Sequence, residues 1–339
     1  MILVSGATGF LGAHTVCFLL KNNKQVAALK RKSSSLLEFD LIFNHHFKSF
    51  SDNQLANIKN NLKWHDADVL DLPALEMAFQ NIEEVYHCAG IVSFEKKDFA
   101  KIIKTNVEGT TNMVNLSIEF GVKKFLHISS TAAIGRTDSG NEIVENTKWE
   151  SSDLNSNYAI SKHKAEMEVW RAKEEGLNVC IVNPSIILGI GDYNKGSVNI
   201  FKMLKKKLPF YTLGVNGFVD VEDVSRASFE LMENNIFGQR FILVSENTSY
   251  KNLFFLIADG FNSARPKIEI GKYLSEISWR GVAFLKLFGL AKINITKETS
   301  RTSQKKYFYS NSKIKTAIGF EFKPLNQTIK EVCDFILHQ

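Results

Sequence analysis

The sequence predicts an α/β protein with a Rossmann-type, doubly wound parallel sheet and a smaller, mostly helical C-terminal substrate lobe. Three observations support this fold class. Short apolar runs alternate with helical stretches through the first half of the chain, as expected of repeated βαβ units. These runs are almost continuously apolar, which suits strands covered on both faces. The length of 339 residues corresponds to about two domains.

The first half of the chain supplies the strands of the predicted sheet. Apolar runs predict strands at Ile2–Ser5, 25–30, 62–69, 84–88, 124–129 and 177–183. Between these strands, the hydrophobic periodicity predicts helices at 10–20, 72–80, 98–120 and 157–175. Residues 32–61 are polar and weakly patterned, so we expect a helix or loop excursion between the second and third strands.

After Pro184 the alternation loosens and helical segments dominate. They are predicted at 198–207, 222–234, 251–259, 276–290 and 327–336, with a short strand at 241–244. We therefore expect a cofactor domain over residues 1–185, whose sheet is completed by a later strand near 218–245. Residues 186–339 would form mainly the substrate-binding lobe.

The composition excludes several classes of function. The net charge of +6 is mild, and no basic stripe is interleaved with aromatic residues, so no nucleic-acid partner is expected. No apolar run reaches the length of a membrane-spanning helix, and no signal peptide is visible. The four cysteines and the histidines lack metal-ligand spacing, so we expect no metal and reduced thiols in the cytoplasm.

The segment 279–290, WRGVAFLKLFGL, is the most apolar stretch of the second half. It could touch a membrane surface or a hydrophobic substrate. A helix of the core or of the substrate lobe fits the pattern better, so no stable membrane insertion is expected.

A glycine-rich loop follows the first strand and opens the first helix. Residues 5–12 have the sequence SGATGFLG. Gly6 permits the tight turn, and Gly9 lets a dinucleotide pyrophosphate approach the backbone at the positive end of the helix. Gly12 allows close packing of the helix on the strand. Because the loop has this strand–turn–helix context, it favours dinucleotide binding over a tight turn without a ligand.

The end of the second strand is basic. Dinucleotide-binding folds usually carry an acid there, which binds the ribose 2′-hydroxyl. In this chain Lys30, Arg31 and Lys32 occupy the place, followed by three serines. These cations would neutralise a 2′-phosphate. The sequence therefore predicts a preference for NADP(H), with NAD(H) as the alternative and a solvated basic turn as the interpretation without a ligand.

Tyr158 and Lys162 are four residues apart in a predicted helix, so they share one helix face. A nearby ammonium favours the phenolate and lowers the pKa of a tyrosine toward the range useful for acid–base catalysis. Ser129, Ser130 and Thr131 lie about 28 residues before Tyr158, where a predicted strand ends. Ligands of parallel sheets bind at the carboxyl ends of the strands, so these hydroxyls are expected near the other two residues.

These motifs resemble the extended short-chain dehydrogenase/reductase superfamily, also called the NAD-dependent epimerase/dehydratase family, from about residue 1 to 335. The matching segments are SGATGFLG at 5–12, VYHCAG at 85–90, TNVEGT at 105–110, HISSTAAIG at 127–135, YAISK at 158–162, NPSIILG at 183–189 and FVDVEDV at 218–224. The basic strand end, the NPSIILG segment and the stretch 312–325 indicate the dihydroflavonol-reductase and 3β-hydroxysteroid-dehydrogenase-like branch.

The resemblance implies a role for each matching residue. Tyr158 would be the general acid/base, and Lys162 would lower its pKa and bind the nicotinamide ribose. Ser130 would polarise the substrate carbonyl, with Thr131 in reserve, and Asn106 would be a helix-kink or relay residue. Further cofactor contacts are expected at Gly6, Thr8, Gly9, Phe10, Leu11, Gly12, Lys30, Arg31, Asp68, Val69, Ala89, Gly90, Pro184, Ser185 and Ile187.

The resemblance implies an NAD(P)H-dependent oxidoreductase that reduces a small ketone or aldehyde, or oxidises the matching alcohol. Hydride transfer would be coupled to proton transfer by Tyr158. The alternative is a sugar-nucleotide epimerase with tightly bound NAD. A non-catalytic cofactor-sensing protein is a further alternative, although such proteins tend to lose the tyrosine or the lysine that this chain keeps. A homodimer through the helices near 100–118 and 158–175 is also expected from the resemblance.

Overall fold

The computed structural model describes residues 1–135, 142–152, 155–271 and 302–338. Its strands are β1 Ile2–Ser5, β2 Val26–Lys30, β3 Leu62–Asp66, β4 Glu84–His87, β5 Lys124–Ile128, β6 Val179–Pro184, β7 Ile186–Leu188, β8 Phe210–Tyr211, β9 Val215–Asp220, β10 Gln239–Leu243, β11 Glu246–Ser249 and β12 Ile268–Glu269. The strands predicted in the first half are confirmed, with β3 shorter than expected.

Seven of these strands form one parallel sheet in the order β10-β6-β5-β4-β1-β2-β3. This order confirms the Rossmann-type α/β fold. β1 and β4 are neighbours in the sheet. After β1 the chain continues to β2 and β3 on one side of this pair, and after β4 it continues to β5 and β6 on the other side. The carboxyl ends of β1 and β4 therefore flank the topological switch point, where ligands bind in such sheets.

The helices cover both faces of the sheet. They are α1 Phe10–Lys21, α2 Leu37–Phe47, α3 Asp52–Asn60, α4 Leu72–Ala78, α5 Phe99–Ile103, α6 Gly109–Glu119, α7 Asn157–Glu174, α8 Asn199–Lys205, α9 Val221–Glu233, α10 Tyr250–Gly260, α11 Ser312–Ile318 and α12 Leu325–Leu337. The weakly patterned region 32–61 forms α2 and α3. The helix predicted at 276–290 lies outside the described residues.

The single helix predicted at 98–120 is divided into three parts. A π-helical turn, Lys104–Glu108, separates α5 from α6. π-Turns inside helices are rare and occur frequently at functional sites. Asn106 lies in the middle of this turn and is buried.

Alternate residues of the sheet strands serve two separate cores. Val4 and Leu126 pack toward the core shared with α1 and α9, whereas Leu3 and Phe125 pack toward the core shared with α6 and α7. All four side chains are fully buried. The continuous apolar runs in the sequence are explained by this double covering, because neither face of the sheet meets water.

The second half of the chain contributes to two layers. Strand β10 joins the edge of the main sheet beside β6. It lies within the range 218–245, where a later strand of this sheet is predicted. Strands β7, β9 and β11 form a separate three-stranded sheet, and a third core lies among α8, α10 and α12. Within the described residues, no helix combines the length and the apolar character needed to span a membrane.

Candidate active site

The glycine-rich loop holds β1, α1 and the segment after β4 in close contact. Gly6 has a left-handed φ of +67°, and a Cβ atom there would lie 2.7 Å from the Ala89 nitrogen. A Cβ atom at Gly12 would lie 2.1 Å from the Gly6 carbonyl oxygen. The N-cap of α1 is Gly9, which offers no side chain to its free backbone N–H groups, and the first turn has no acid. This end of α1 therefore fits a pyrophosphate.

Residues around the loop complete this face of the site. Ala89 donates its backbone N–H to Ser5 Oγ at 3.2 Å. The Phe10 ring packs against Gly191, where a Cβ atom would lie 2.7 Å from the ring. Thr8 and Leu11 are half-buried at the same turn. The structure therefore brings the predicted loop residues together with the segment that follows β4.

The three cations at the end of β2 differ in their surroundings. Lys30 is paired in register with Asp66 on β3, and its Nζ atom forms an ion pair with that carboxylate. Arg31 and Lys32 lie beyond the strand end and are exposed. A 2′-phosphate would therefore meet Arg31 and Lys32, while the charge of Lys30 is balanced by Asp66.

The turn after β3 is fixed against α6. Leu70 donates its backbone N–H to Asp68 Oδ1 at 3.0 Å, and Asn112 Nδ2 donates to the Val69 carbonyl at 2.9 Å. A Cβ atom at Gly109 would lie 2.6 Å from Val69 Cγ2. This packing positions Asp68 and Val69, the two residues expected at the adenine.

Tyr158 lies in the first turn of α7, which Ser156 caps by accepting the Ala159 N–H at 2.9 Å. Its phenol interacts with the Ser130 side chain, and the Phe94 ring stands edge-on to it at 5.9 Å between centroids. Burial raises the pKa of Tyr158 to about 12, against the lowering effect of Ser130. A nearby positive charge is therefore needed before the phenol can act as an acid or base at neutral pH.

Lys162 lies one turn further along α7 and is 5% exposed. Its Nζ atom donates to the Ile128 carbonyl at 2.7 Å. Burial lowers the pKa of Lys162 to about 8, against the raising effect of the Glu166 charge. A Cβ atom at Gly90 would lie 3.6 Å from Nζ, so the lysine faces the segment that follows β4.

Asn106 ties the π-turn to the same segment and to α7. Its Oδ1 accepts the Ile91 N–H at 2.7 Å, and its Nδ2 donates to the Ile91 carbonyl and to Ser161 Oγ, both at 3.0 Å. The residue anticipated at a helix kink thus lies in the π-turn, where its amide joins three elements of the site.

The three hydroxyls after β5 have different surroundings. Ser129 is buried and donates to Glu166 Oε1 at 2.5 Å. Thr131 is buried at the start of a 3₁₀ turn. Ser130 is half-buried and faces Tyr158. Of the three, Ser130 is the hydroxyl that interacts with the Tyr158 phenol.

The last predicted cofactor residues follow β6. Ser185 donates its backbone N–H to the Leu243 carbonyl at 3.0 Å, which links this segment to β10. Ser197 Oγ donates to the Ile187 carbonyl. Pro184 and Ser185 are buried and Ile187 is half-buried, so the segment forms a wall between the main sheet and the second half of the chain.

A buried chain of polar groups runs beneath the site. Ser5 Oγ lies 2.7 Å from His87 Nδ1, and His87 Nε2 lies 2.9 Å from the Thr110 hydroxyl, which donates to the Asn106 carbonyl at 2.6 Å. His127 stacks on His87 at 5.4 Å between centroids. Both of its ring nitrogens are buried without a hydrogen-bond partner among the described residues.

A second buried histidine chain lies beneath α1. Lys21 Nζ is 2.8 Å from His46 Nδ1, His46 Nε2 is 2.8 Å from His14 Nδ1, and His14 Nε2 is 2.7 Å from the Ile190 carbonyl. With Glu222, the two histidines could also converge on a metal ion. Their facing nitrogens are already hydrogen-bonded and a lysine adjoins them, so the geometry favours the hydrogen-bonded chain.

Stability is expected to fall steeply between pH 7 and pH 5. Burial lowers the pKa of His14 to about 4, of His46 to about 2 and of His87 to about 3, and places that of His127 well below its ordinary value. These rings stay neutral in the folded protein, whereas the unfolded chain takes up protons below about pH 6.5. Each histidine should cost about 2 kcal/mol at pH 5 relative to pH 7.

Urea unfolding at the two pH values measures this loss. The His127→Leu variant is the matched comparison, because it removes a buried histidine without breaking a hydrogen bond among the described residues. We expect its loss between pH 7 and pH 5 to be smaller than that of the wild type by about 2 kcal/mol. Equal losses in the two proteins would contradict the prediction.

The family model of the NAD dependent epimerase/dehydratase family matches residues 2–242, which is more than half of the chain. The chain belongs to this family. Its site residues lie within the matched region, and the resemblance inferred from the motifs is confirmed.

The relatives of this family member include named reductases. It is 26% identical over 335 residues to a putative dihydroflavonol 4-reductase of Synechocystis, covering 97% of this chain and 92% of the relative. It is 27% identical over 292 residues to sterol demethylase protein B of Methylococcus capsulatus, covering 84% and 80%. The crystal structure of gox2253 matches with a TM-score of 0.80 at 25% identity, covering 100% of this chain and 98% of that one. The protein is an NAD(P)-dependent enzyme of the extended short-chain dehydrogenase/reductase family.

Proposed function

We propose that this enzyme uses NADPH to reduce a small ketone or aldehyde, or oxidises the matching alcohol with NADP⁺. One observation carries the proposal. The Tyr158 phenol interacts with the Ser130 side chain, one helical turn from the buried Lys162. This is the arrangement needed to place a proton donor and a second hydroxyl on one substrate oxygen.

The nicotinamide, when bound, supplies or accepts the hydride. In the reductive direction Tyr158 gives its proton to the carbonyl oxygen, while the Ser130 hydroxyl donates a hydrogen bond to the same oxygen. The ammonium of Lys162 would stabilise the phenolate that is left behind, against the burial that raises the pKa of Tyr158 to about 12. In the oxidative direction the same phenolate accepts the alcohol proton.

The cofactor contacts follow from the same geometry. The N-terminal turn of α1 would bind the pyrophosphate, and Arg31 with Lys32 would bind a 2′-phosphate. Asp68 and Val69 would lie at the adenine. The division into a cofactor domain up to residue 185 and a substrate lobe after it, the homodimer and the cytoplasmic location stay predictions.

The substrate class follows from the relatives and the surroundings of Tyr158. The Phe94 ring beside the phenol favours an apolar or aromatic carbonyl compound. A relative carries the name dihydroflavonol 4-reductase, so a dihydroflavonol is a suitable first ketone to test. The second candidate function is a sugar-nucleotide epimerase with bound NAD, and the carboxylate of Asp66 beside Lys30 is the feature that favours it.

The two functions are separated by the cofactor and the reaction. The purified enzyme is incubated with NADPH and a panel containing a dihydroflavonol, an aromatic aldehyde, an aliphatic ketone and an aliphatic aldehyde, and the loss of NADPH absorbance is followed. We expect reduction of at least one compound. NAD that co-purifies with the protein, together with epimerisation of a sugar nucleotide and no carbonyl reduction, would overturn the proposal.

Replacing Arg31 by alanine is expected to weaken NADPH binding by about 10- to 100-fold, because a charge-assisted contact with phosphate contributes about 1.5 to 3 kcal/mol. NADH binding should change little, since NADH lacks the 2′-phosphate. Fluorescence titration with both cofactors measures the ratio. Lys63→Ala removes an exposed cation from β3 and serves as the matched control. An equal weakening of NADH and NADPH binding would contradict the assignment.

A further inference from the structure

A buried carboxylate lies directly behind the candidate active site. Glu166 stands on α7 one turn beyond Lys162 and is 1% exposed. Its Oε1 accepts hydrogen bonds from Ser129 Oγ and Asn183 Nδ2, both at 2.5 Å. Its Oε2 accepts one from Arg240 Nη1 at 3.0 Å. Three donors thus converge on one carboxylate, which satisfies the requirement for burying an ionised group.

These donors come from three different strands of the main sheet. Ser129 follows β5, Asn183 belongs to β6 and Arg240 belongs to β10. The Asn183 amide also donates to the Ser130 carbonyl at 2.9 Å. Ser129 is therefore held by Glu166 itself, and the Ser130 carbonyl is held by Asn183, which also binds Glu166. These contacts limit the positions that the Ser130 hydroxyl can take.

Arg240 is fixed in turn by a second set of contacts. Its Nε and Nη2 atoms donate to the Glu145 carbonyl at 2.9 and 2.6 Å. The Glu145 carboxylate accepts the Ile242 N–H at 2.9 Å. Because the guanidinium is planar, these contacts fix the direction in which Nη1 meets Glu166. The carboxylate is thereby held in place.

We propose that Glu166, held by Arg240, is a positioning residue: it fixes Ser130 against Tyr158 and places its carboxylate one helical turn from Lys162. The effect on turnover rests on the proposed function, whereas the effect on the lysine does not. Glu166 does not touch the reacting atoms and acts through Ser130 and Lys162. The local sequence signal for this role is its spacing, four residues after Lys162 on the same helix face.

The groups around Lys162 show why Glu166 matters for its charge. From the strands and loops, Lys162 is faced by Cys88, His87, His127 and the Ile128 carbonyl. Burial raises the pKa of the Cys88 thiol to about 12 and keeps both histidines neutral. On its own helix, Tyr158 is a neutral phenol at pH 7. Glu166 is thus the group in this set that carries a negative charge at neutral pH and opposes loss of the lysine proton.

The first experiment measures Lys162 directly and needs no substrate. Protein labelled with ¹³C and ¹⁵N in its lysines is titrated by NMR, and the Lys162 signal is identified by its absence in Lys162→Met. The Glu166→Gln variant keeps the shape of the side chain but removes the charge. We expect its Lys162 midpoint to fall by about one pH unit. Glu168→Gln, on the exposed part of α7 beside Arg171, is the control and should not shift it.

The second experiment separates positioning from stability. Glu166→Gln leaves the half-buried Arg240 without its carboxylate partner, so we expect a lower melting temperature. The double variant Glu166→Gln with Arg240→Met removes both charges and should recover much of that stability. Turnover is measured with the panel compound that the wild type reduces fastest. We expect about 10- to 100-fold lower kcat in the single variant, with no recovery in the double variant.

A merely structural role predicts a different pattern, in which turnover returns together with stability. That result, or an unchanged Lys162 midpoint in folded Glu166→Gln, would overturn the inference. Should Glu166→Gln fail to fold, the double variant carries the test, because it too lacks the charge that acts on Lys162. Failure of the proposed function would show differently, as normal turnover in a Tyr158 variant while the Lys162 midpoint still shifts.

Discussion

Replacing Tyr158 by phenylalanine is expected to lower turnover by about 10²- to 10⁴-fold, the usual contribution of a positioned general acid or base. The ring would keep its packing against Phe94, so the fold and the cofactor site should be retained. Only the hydroxyl that faces Ser130 is lost. Steady-state kinetics on a reduced panel compound measure the effect, and NADPH titration establishes that cofactor binding is preserved.

Tyr211→Phe provides the matched control for this variant. Tyr211 lies in β8 against the Phe255 ring, away from Ser130 and Lys162, so its turnover should equal that of the wild type. A near-normal rate in Tyr158→Phe would mean that the proton comes from another group. The Ser130→Ala and Thr131→Ala variants would then show which hydroxyl supplies it.

The Gly12→Ala variant should lose cofactor binding and much of its stability. Its new methyl group would lie 2.1 Å from the Gly6 oxygen and 2.7 Å from the Gly6 carbon. Neither atom is the end of a flexible side chain, so the loop backbone must move away from α1. We expect NADPH affinity to fall by at least about tenfold and unfolding to become easier by about 1 to 3 kcal/mol, as overpacked sites do.

Calorimetry and NADPH titration test both parts of this prediction. Gly271→Ala is the control, since a Cβ atom there meets no heavy atom of the described residues within 4 Å and its φ is not in the left-handed region. It should behave as the wild type. Wild-type affinity in Gly12→Ala would show that the loop can move without cost, and the pyrophosphate assignment would then have to be abandoned.

The fold was predictable because its signals are local. Glycine spacing, strand–helix alternation and apolar runs each occur within a few residues of one another. One exception is the end of β3, predicted to reach residue 69 but ending at Asp66. β3 is an edge strand, and the chain leaves the sheet after it. The Ala67 N–H still donates to the Lys30 carbonyl of β2, whereas the Asp71 N–H donates to the Asp68 carbonyl and closes a turn. The apolar residues that follow serve a turn packed under α6.

The motifs of the candidate site could be predicted from the sequence, but the contacts between residues distant in sequence could not. Tyr158 and Lys162 are four residues apart, so one helix face explains them. Glu166 and Arg240 are joined across 74 residues, and nothing in the sequence around Arg240 indicates its partner. The pairing of Lys30 with Asp66 likewise depends on the register of two strands. Contacts of this kind arise from topology, which local patterns do not specify.

Strand β10 has a consequence for the way this protein is made. It fills the edge of the main sheet beside β6 but is separated from it in sequence by β7, β8 and β9. On the ribosome, the nascent chain would therefore expose the unpaired edge of β6 until residue 243 has emerged, and unpaired edges invite aggregation. Since Arg240 arrives on that strand, its contact with Glu166, and with it the proposed positioning of Ser130, can form only after that strand has emerged. Truncation before residue 239 should yield a chain that depends on chaperones.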